Sequence, residues 1–198
     1  MDVYVGGKKI RLGPMQSIGK GGEADVYDIG GDRALKVFKP PNHPDYDGLP
    51  EEQRGARERI ATHQRKLPKF PTGLPPRVVV PQDLAFDQSG KTILGYTMPL
   101  VRGTEVLRRY SERTFRAAGV PTNVVTDIFR DLHGTVRGTH AHGVTIGDFN
   151  DLNVLVRGTD AFLIDADSMQ FGGFPCTVFT ARFVDPLRCD PKQKTLAL

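Results

Sequence analysis

Cysteine is scarce: Cys176 and Cys189 are the only two in 198 residues. Two thiols build neither a disulfide framework nor a four-cysteine zinc site, and they suit a reducing compartment. Neither is assigned a catalytic role. Long apolar runs are also missing. The longest fall well short of a membrane span, and the first twelve residues mix glycine, lysine and short β-branched stretches without the apolar core of a signal peptide. A cytoplasmic protein with no membrane partner is expected. No internal repeat or low-complexity tract is present. Hydrophobic content of 38% and charged content of 25% exclude a disordered or fibrous chain. The charge imbalance is small, +4 with a sequence pI near 9.1. It suits an anionic ligand and is too mild to indicate nucleic-acid binding. The arginine-rich stretches at 54–69 and 102–116 read as solvated helix faces.

What is present is an ordered succession of short elements. Residues 3–5 and 8–12 flank Gly6-Gly7 as a hairpin, and residues 25–29 and 33–38 flank Gly30-Gly31-Asp32 as a second one. Pro40, Pro41 and Pro44 then impose a loop. Residues 50–67, rich in Glu, Gln, Arg and Ala, with proline at the first turn and Pro68 at the end, predict a helix. A proline-rich connector (Pro71, Pro75, Pro76, Pro81) leads to strand-like runs at 83–87 and 92–98. Val124, Ile128, Leu132 and Val136 mark a long helix over 123–142, and short apolar strands are predicted at 154–156 and 161–164. This segregation of elements predicts an α+β fold rather than alternating parallel units.

Four constellations carry chemistry. In Ile18-Gly19-Lys20-Gly21-Gly22-Glu23-Ala24-Asp25-Val26, glycines without a Cβ let the backbone approach phosphate oxygens, and Ala24 and Val26 would cover a base and ribose. The same pattern also occurs as a plain hairpin turn. No Gly-Lys-Ser/Thr ending follows, so a P-loop is excluded. One strand later, Lys36 stands among Ala34, Leu35, Val37 and Phe38, a single amine beside an apolar face. Asp148 is followed by Asn153 and the apolar Val154-Leu155-Val156, a spacing that pairs a proton-accepting carboxylate with a neutral oxygen donor for a hard cation. Asp165, after Phe162-Leu163-Ile164, adds a second hard donor, with Asp167 and Ser168 just beyond. Singly each acid could cap a turn. The four in this order are not coincidental.

These residues resemble the protein-kinase superfamily, and more narrowly the bacterial kinase-like domains with a Gly-Gly-Glu loop and an Ile-Asp-x-Asp-Ser metal motif. The resemblance spans about residues 3–186. It implies a two-lobed fold with ATP in the cleft: an N-lobe over 1–101 and a truncated helical C-lobe over 102–198. By the same resemblance Ile18, Gly19, Gly21, Gly22, Ala24 and Val26 would enclose ATP, and Lys36 would neutralise its α- and β-phosphates. Met98 would be the gatekeeper, followed by a hinge at 99–101 in which Leu100 and Val101 meet the adenine. Asp148 would be the catalytic aspartate, and Asn153 and Asp165 would hold Mg²⁺. The helix glutamate that pairs with Lys36 would be Glu58, with Glu51 or Glu52 as alternatives, since Glu51 and Glu58 share a helix face.

Departures from the pattern set the alternatives. Ile146-Gly147 replaces the His-Arg that precedes the catalytic aspartate, Asn150 stands where lysine is usual, and Asp165-Ala166-Asp167 lacks the glycine of the metal motif. Asp185-Pro186-Leu187 occupies the place of a Pro-Glu ending without its glutamate. The short stretch after Asp165 implies a minimal kinase, a piece of a longer protein, or a lobe completed by a partner. The expectation is an ATP- and Mg²⁺-dependent kinase acting on a protein Ser/Thr hydroxyl or on itself. A nucleotide-binding pseudokinase scaffold and a small-molecule phosphotransferase are the alternatives. His133, His140 and His142 read as helix-end residues rather than ligands. Phe171, Phe174, Phe179 and Phe183 read as packing residues, of which an exposed subset would mark a partner surface.

Overall fold

The computed structural model describes residues 1–183. They form two compact units: Met1–Phe70 with Pro81–Val101, and Pro71–Val80 with the chain from Arg102 onward. The class is α+β, as expected, with a curled antiparallel sheet and few helices.

The first unit contains β1 (Asp2–Val5), β2 (Lys8–Arg11), β3 (Ser17–Lys20), β4 (Ala24–Asp28), β5 (Arg33–Phe38), β6 (Leu84–Phe86) and β7 (Ile93–Pro99), in the order β2-β1-β6-β7-β5-β4-β3. Every neighbouring pair is antiparallel. The hairpin turns follow from glycine chemistry: Gly6 and Gly7 have φ of 54° and 76°, the left-handed values that a two-residue loop requires. On one sheet face Leu35 and Val37 pack with Val3, Val5, Leu12 and Ala85. On the other, Phe38 joins Ala24, Tyr96, Ile93 and Leu67, against which Ile60 of α1 (Pro50–Lys66) packs. Proline opens that helix and Pro68 follows its end. Glu51 and Glu52 in its first turn and Arg65 and Lys66 in its last complement the helix dipole. Strand β7 runs unusually close to β5. A Cβ on Gly95 would lie 2.0 Å from the Lys36 carbonyl oxygen, so only glycine permits this approach.

The second unit holds β8 (Glu105–Val106), β9 (Val154–Arg157) and β10 (Asp160–Leu163), ordered β10-β9-β8, with α2 (Arg113–Ala117) and α3 (Thr122–Ala141). The proline-rich connector groups with this unit for a specific reason. Leu163 donates its N–H to the Arg77 carbonyl and Val79 donates to the Leu163 carbonyl, each at 2.8 Å, so the connector runs as an extra strand beside β10. Arg77 reinforces it through Asp160 and Asp131, its guanidinium lying 5.1 Å from the Phe162 ring. Helix α3 buries Ile128, Leu132, Thr135 and Thr139; Val136, expected on that stripe, is only half-buried. Threonine is tolerated there because Thr135 and Thr139 donate their hydroxyls to carbonyls four residues back, at 3.2 and 2.8 Å. Strand β8 was not expected; the arginine-rich stretch 102–116, read as a helix face, is helical only in a short 3₁₀ turn over Leu107–Ser111 and in α2. Residues 185–187 and Cys189 lie outside the described residues.

Candidate functional site

In the first unit the strand register gathers most of the expected nucleotide residues. Gly19 pairs with Val26, Val26 with Lys36, Lys36 with Tyr96, and Ala34 with Met98. Directly paired residues share a face, so Gly19, Ala24, Val26, Lys36 and Met98 lie on one side of the sheet. The Lys36 ammonium lies 5.9 Å from the centroid of the Tyr96 ring. Gly21 and Gly22 are exposed at the β3–β4 tip, and Ile18 is exposed beside a register shift in β3. Leu100 donates its N–H to the Asp32 carbonyl at 2.8 Å, which commits that donor to the sheet. Val101 ends the unit. The three α1 glutamates are all exposed: Glu51 pairs with Arg54, Glu58 lies on the side away from the buried Ala56, and Glu52, in line with Ala56 and His63, is exposed in the first turn.

The tip itself is tied down by residues that the sequence did not single out. Lys39, only 4% exposed, donates its Nζ to the Gly21 carbonyl and to Asp45, both at 2.5 Å. The Tyr46 hydroxyl donates to the Gly22 carbonyl at 2.7 Å, and Arg59 of α1 pairs with Glu23 at 2.8 Å. A lysine just before Pro40-Pro41 reads as a surface residue in sequence. Nothing local announces that the chain folds back over it.

In the second unit Asp148 is the centre of a compact polar cluster. Its Oδ1 accepts the Thr180 hydroxyl at 2.9 Å, and its Oδ2 accepts amide N–H groups from Asn150 at 3.2 Å and Asn153 at 3.3 Å. Asn153 also donates to the Asp148 carbonyl at 3.0 Å. The Asn150 side-chain oxygen accepts the N–H groups of Leu152 and Asn153, which shapes the loop that carries them all. Thr180 escaped sequence reading because it is 32 positions from Asp148. Gly147 has a packing reason: a Cβ there would lie 2.3 Å from the Cys176 Cβ, so the buried Cys176 excludes any larger residue before Asp148.

Asn153 and Asp165 are brought together by the backbone. The Asn153 carbonyl accepts the Ile164 N–H at 3.0 Å, which sets Asp165 beside the start of β9. Asp165 is held in the left-handed region at φ 64°, ψ 37°, which costs a non-glycine residue about 1–3 kcal/mol. Its carbonyl is fixed by the Ser168 N–H at 3.1 Å and the Ser168 hydroxyl at 2.8 Å. That strain orients one carboxylate at the end of β10. Because the Asn153 amide nitrogen faces Asp148, its side-chain oxygen is turned the other way. A carboxylate and a neutral amide oxygen are each hard donors of the kind Mg²⁺ takes. Among the described residues no three His, Cys, Asp or Glu side chains converge on a metal position, and His142 instead sits 2.8 Å from the Gly138 carbonyl at the end of α3.

The geometry acquires context from known proteins. The chain is 26% identical over 183 residues to the protein kinase YegI of Escherichia coli O157:H7, covering 87% of this chain and 26% of that protein. It is 26% identical over 181 residues to the protein kinase YegI of Escherichia coli K12, with 86% and 26% coverage. The chain is distantly related to a protein kinase. It spans about a quarter of the length of these curated relatives, at 26%. No family model matches it. Among the described residues no helix is long and apolar enough to cross a membrane.

Proposed function

We propose that the chain is a kinase-like phosphotransferase that uses ATP and Mg²⁺ to phosphorylate a hydroxyl, on a protein Ser or Thr or on itself, in the cytoplasm. On this reading residues 1–101 supply the nucleotide apparatus and residues 102–198 the catalytic loop and metal donors. The observation that carries the proposal is the Asp148 carboxylate: it accepts a hydroxyl at 2.9 Å on Oδ1 while two amides brace Oδ2. A general base needs hydrogen-bond reach to the proton it takes and a fixed orientation; the Thr180 contact supports this reading, since a hydroxyl fits at Oδ1 while the two amides fix the carboxylate. Asp148 would align the acceptor hydroxyl and take its proton at Oδ1, with the acceptor displacing Thr180. Lys36 would neutralise the α- and β-phosphates and the Gly22 N–H would donate to them, while Gly19 and Gly21 would let the phosphates approach the backbone, the Gly21 N–H itself being held by the Ala24 carbonyl at 2.9 Å; Ile18, Ala24, Val26, Met98, Leu100 and Val101 would lie around the base and ribose. Mg²⁺, when bound through Asn153 and Asp165, would neutralise phosphate charge. Glu58 remains the proposed partner of Lys36, which requires its exposed side chain to turn towards the sheet.

The test is incubation of the purified chain with γ-labelled ATP, Mg²⁺ and generic protein acceptors. Label should enter the acceptor or the chain, and Asp165→Ala should abolish it. Absence of transfer in the parent chain would overturn the enzymatic reading. A scaffold reading has its own support, an exposed apolar groove next to the catalytic loop that includes Phe129, Phe149 and Phe183. It predicts stabilisation by MgATP without release of ADP.

A further inference from the structure

The tip of the β3–β4 hairpin is clamped by three side chains from elsewhere in the first unit. Lys39 holds the Gly21 carbonyl at 2.5 Å, Tyr46 holds the Gly22 carbonyl at 2.7 Å, and Arg59 holds the Glu23 carboxylate at 2.8 Å and donates to the Tyr46 hydroxyl at 3.2 Å. The peptide unit is planar and trans, so the C=O of one residue and the N–H of the next point in opposite directions. Anchoring the Gly21 and Gly22 carbonyls therefore aims the N–H groups of Gly22 and Glu23 away from Lys39 and Tyr46. Among the described residues no acceptor takes either N–H. Both residues are exposed. Two successive N–H donors left open at an exposed loop tip can take an anion. Without anchors, a peptide flanked by glycine flips readily, and a flipped carbonyl would repel a phosphate.

We infer that Lys39, Tyr46 and Arg59 are positioning residues that hold the Gly21–Gly22 and Gly22–Glu23 peptide planes with their N–H groups presented to a nucleotide phosphate. The inference rests on the phosphotransferase reading and adds to it a device outside the loop. The anchors are chemically suited to the task. Burial works to lower the Lys39 pKa, but the hydrogen bond to Asp45 and the charges of Asp25 and Asp45 outweigh it and raise it, so the group stays an ammonium. Asp25 lies 3.7 Å from that ammonium. Burial likewise pushes the Tyr46 phenol up, keeping its proton on the oxygen as a donor. Arg59 belongs to α1, so the helix and the tip are one assembly. Glu23 is thereby given a role inside the protein, as the acid that ties the loop to the helix.

The experiment measures dissociation constants of ATP and of adenosine, by calorimetry, for the full chain and for Tyr46→Phe, Lys39→Met and Lys39→Arg. Tyr46→Phe removes one oxygen and should weaken ATP about three- to tenfold while leaving adenosine unchanged. Lys39→Met should weaken ATP more than tenfold, and Lys39→Arg should restore part of the loss. A merely structural role would weaken both ligands together, and that outcome overturns the inference, as does unchanged ATP binding in Tyr46→Phe. If Lys39→Met fails to fold, Tyr46→Phe decides alone. A parent chain that binds adenosine but not ATP overturns the inference, and one that binds neither overturns the nucleotide reading beneath it.

Discussion

Asn150 shows how much one side chain can organise. Its amide nitrogen bridges Asp148 Oδ2 at 3.2 Å and the Thr180 hydroxyl at 3.1 Å, while its oxygen holds two loop N–H groups. An amide can do this because it offers donors and an acceptor at once. Asn150→Asp keeps the shape and the two loop bonds but sets a second carboxylate against Asp148. Like charges this close repel, and the amide that braced Oδ2 is gone, so the Asp148 carboxylate loses its fixed orientation. On the proposed reading kcat/KM at pH 7 should fall by about ten- to a hundredfold. An unchanged kcat/KM would show that the Asn150 brace plays no part in the reaction. At this scale spacing singled out Asp148, Asn153 and Asp165, and the structure brings the Asn153 amide to Asp148. The sequence did not reveal Thr180 or the fit of Gly147 against Cys176, because those contacts join distant segments and leave no local pattern.

Elements were legible wherever the signal is local. Gly6-Gly7 and Gly30-Gly31-Asp32 mark their hairpins, and Pro50 and Pro68 bracket α1 to within a residue. Strand β8 was not legible, because it has two residues and exists only by pairing with β9. The helix face read from the arginines at 102–116 is broken into a 3₁₀ turn and the five-residue α2, because a stretch that short carries no apolar period to fix its bounds. The β6–β7 turn shows how an element is held by one acid. The Asp87 carboxylate accepts the Lys91 and Thr92 N–H groups at 3.0 and 3.1 Å and the Ser89 hydroxyl at 2.9 Å. The backbone bond from Thr92 is the main cause that holds its pKa below the usual carboxylate value, with Ser89 next. A depressed pKa contributes stability above the unfolded-state value near 3.9, and that contribution is lost as pH falls through the folded-state value. Asp87→Ala should therefore lower Tm at pH 7 and lose less than the parent between about pH 5 and pH 2. Residual acid sensitivity is expected, since Lys9 and Lys39 hold Asp2 and Asp45 down in the same way. Parallel Tm–pH curves for the two proteins would remove Asp87 from the account.

At the scale of the molecule, the second unit carries more exposed apolar surface than its size needs. A cavity of about 360 Å³ is lined by Leu107, Val125, Phe129, Phe149 and Phe183 among others, and it borders Asn150 and Asp151 of the loop that carries Asp148. Phe129 is 54% exposed and Phe183 45%. Helix α3 thus has an apolar second face, which the fourfold spacing of Val124, Ile128 and Leu132 did not disclose because Phe129 and Val125 fall outside that stripe. Contiguous apolar surface left open to water binds apolar probes. The chain should enhance the fluorescence of 8-anilinonaphthalene-1-sulfonate at neutral pH under conditions where far- and near-ultraviolet circular dichroism both report native packing. Phe129→Gln, at an exposed helical position, should leave stability within about 0.5 kcal/mol of the parent and cut the dye response at least in half. Because Phe129 touches no residue assigned to phosphate or metal, the same variant should keep its affinity for ATP. An unchanged dye response would place the binding elsewhere, and a Tm loss of many degrees would mean that Phe129 supports the unit rather than lining an open groove.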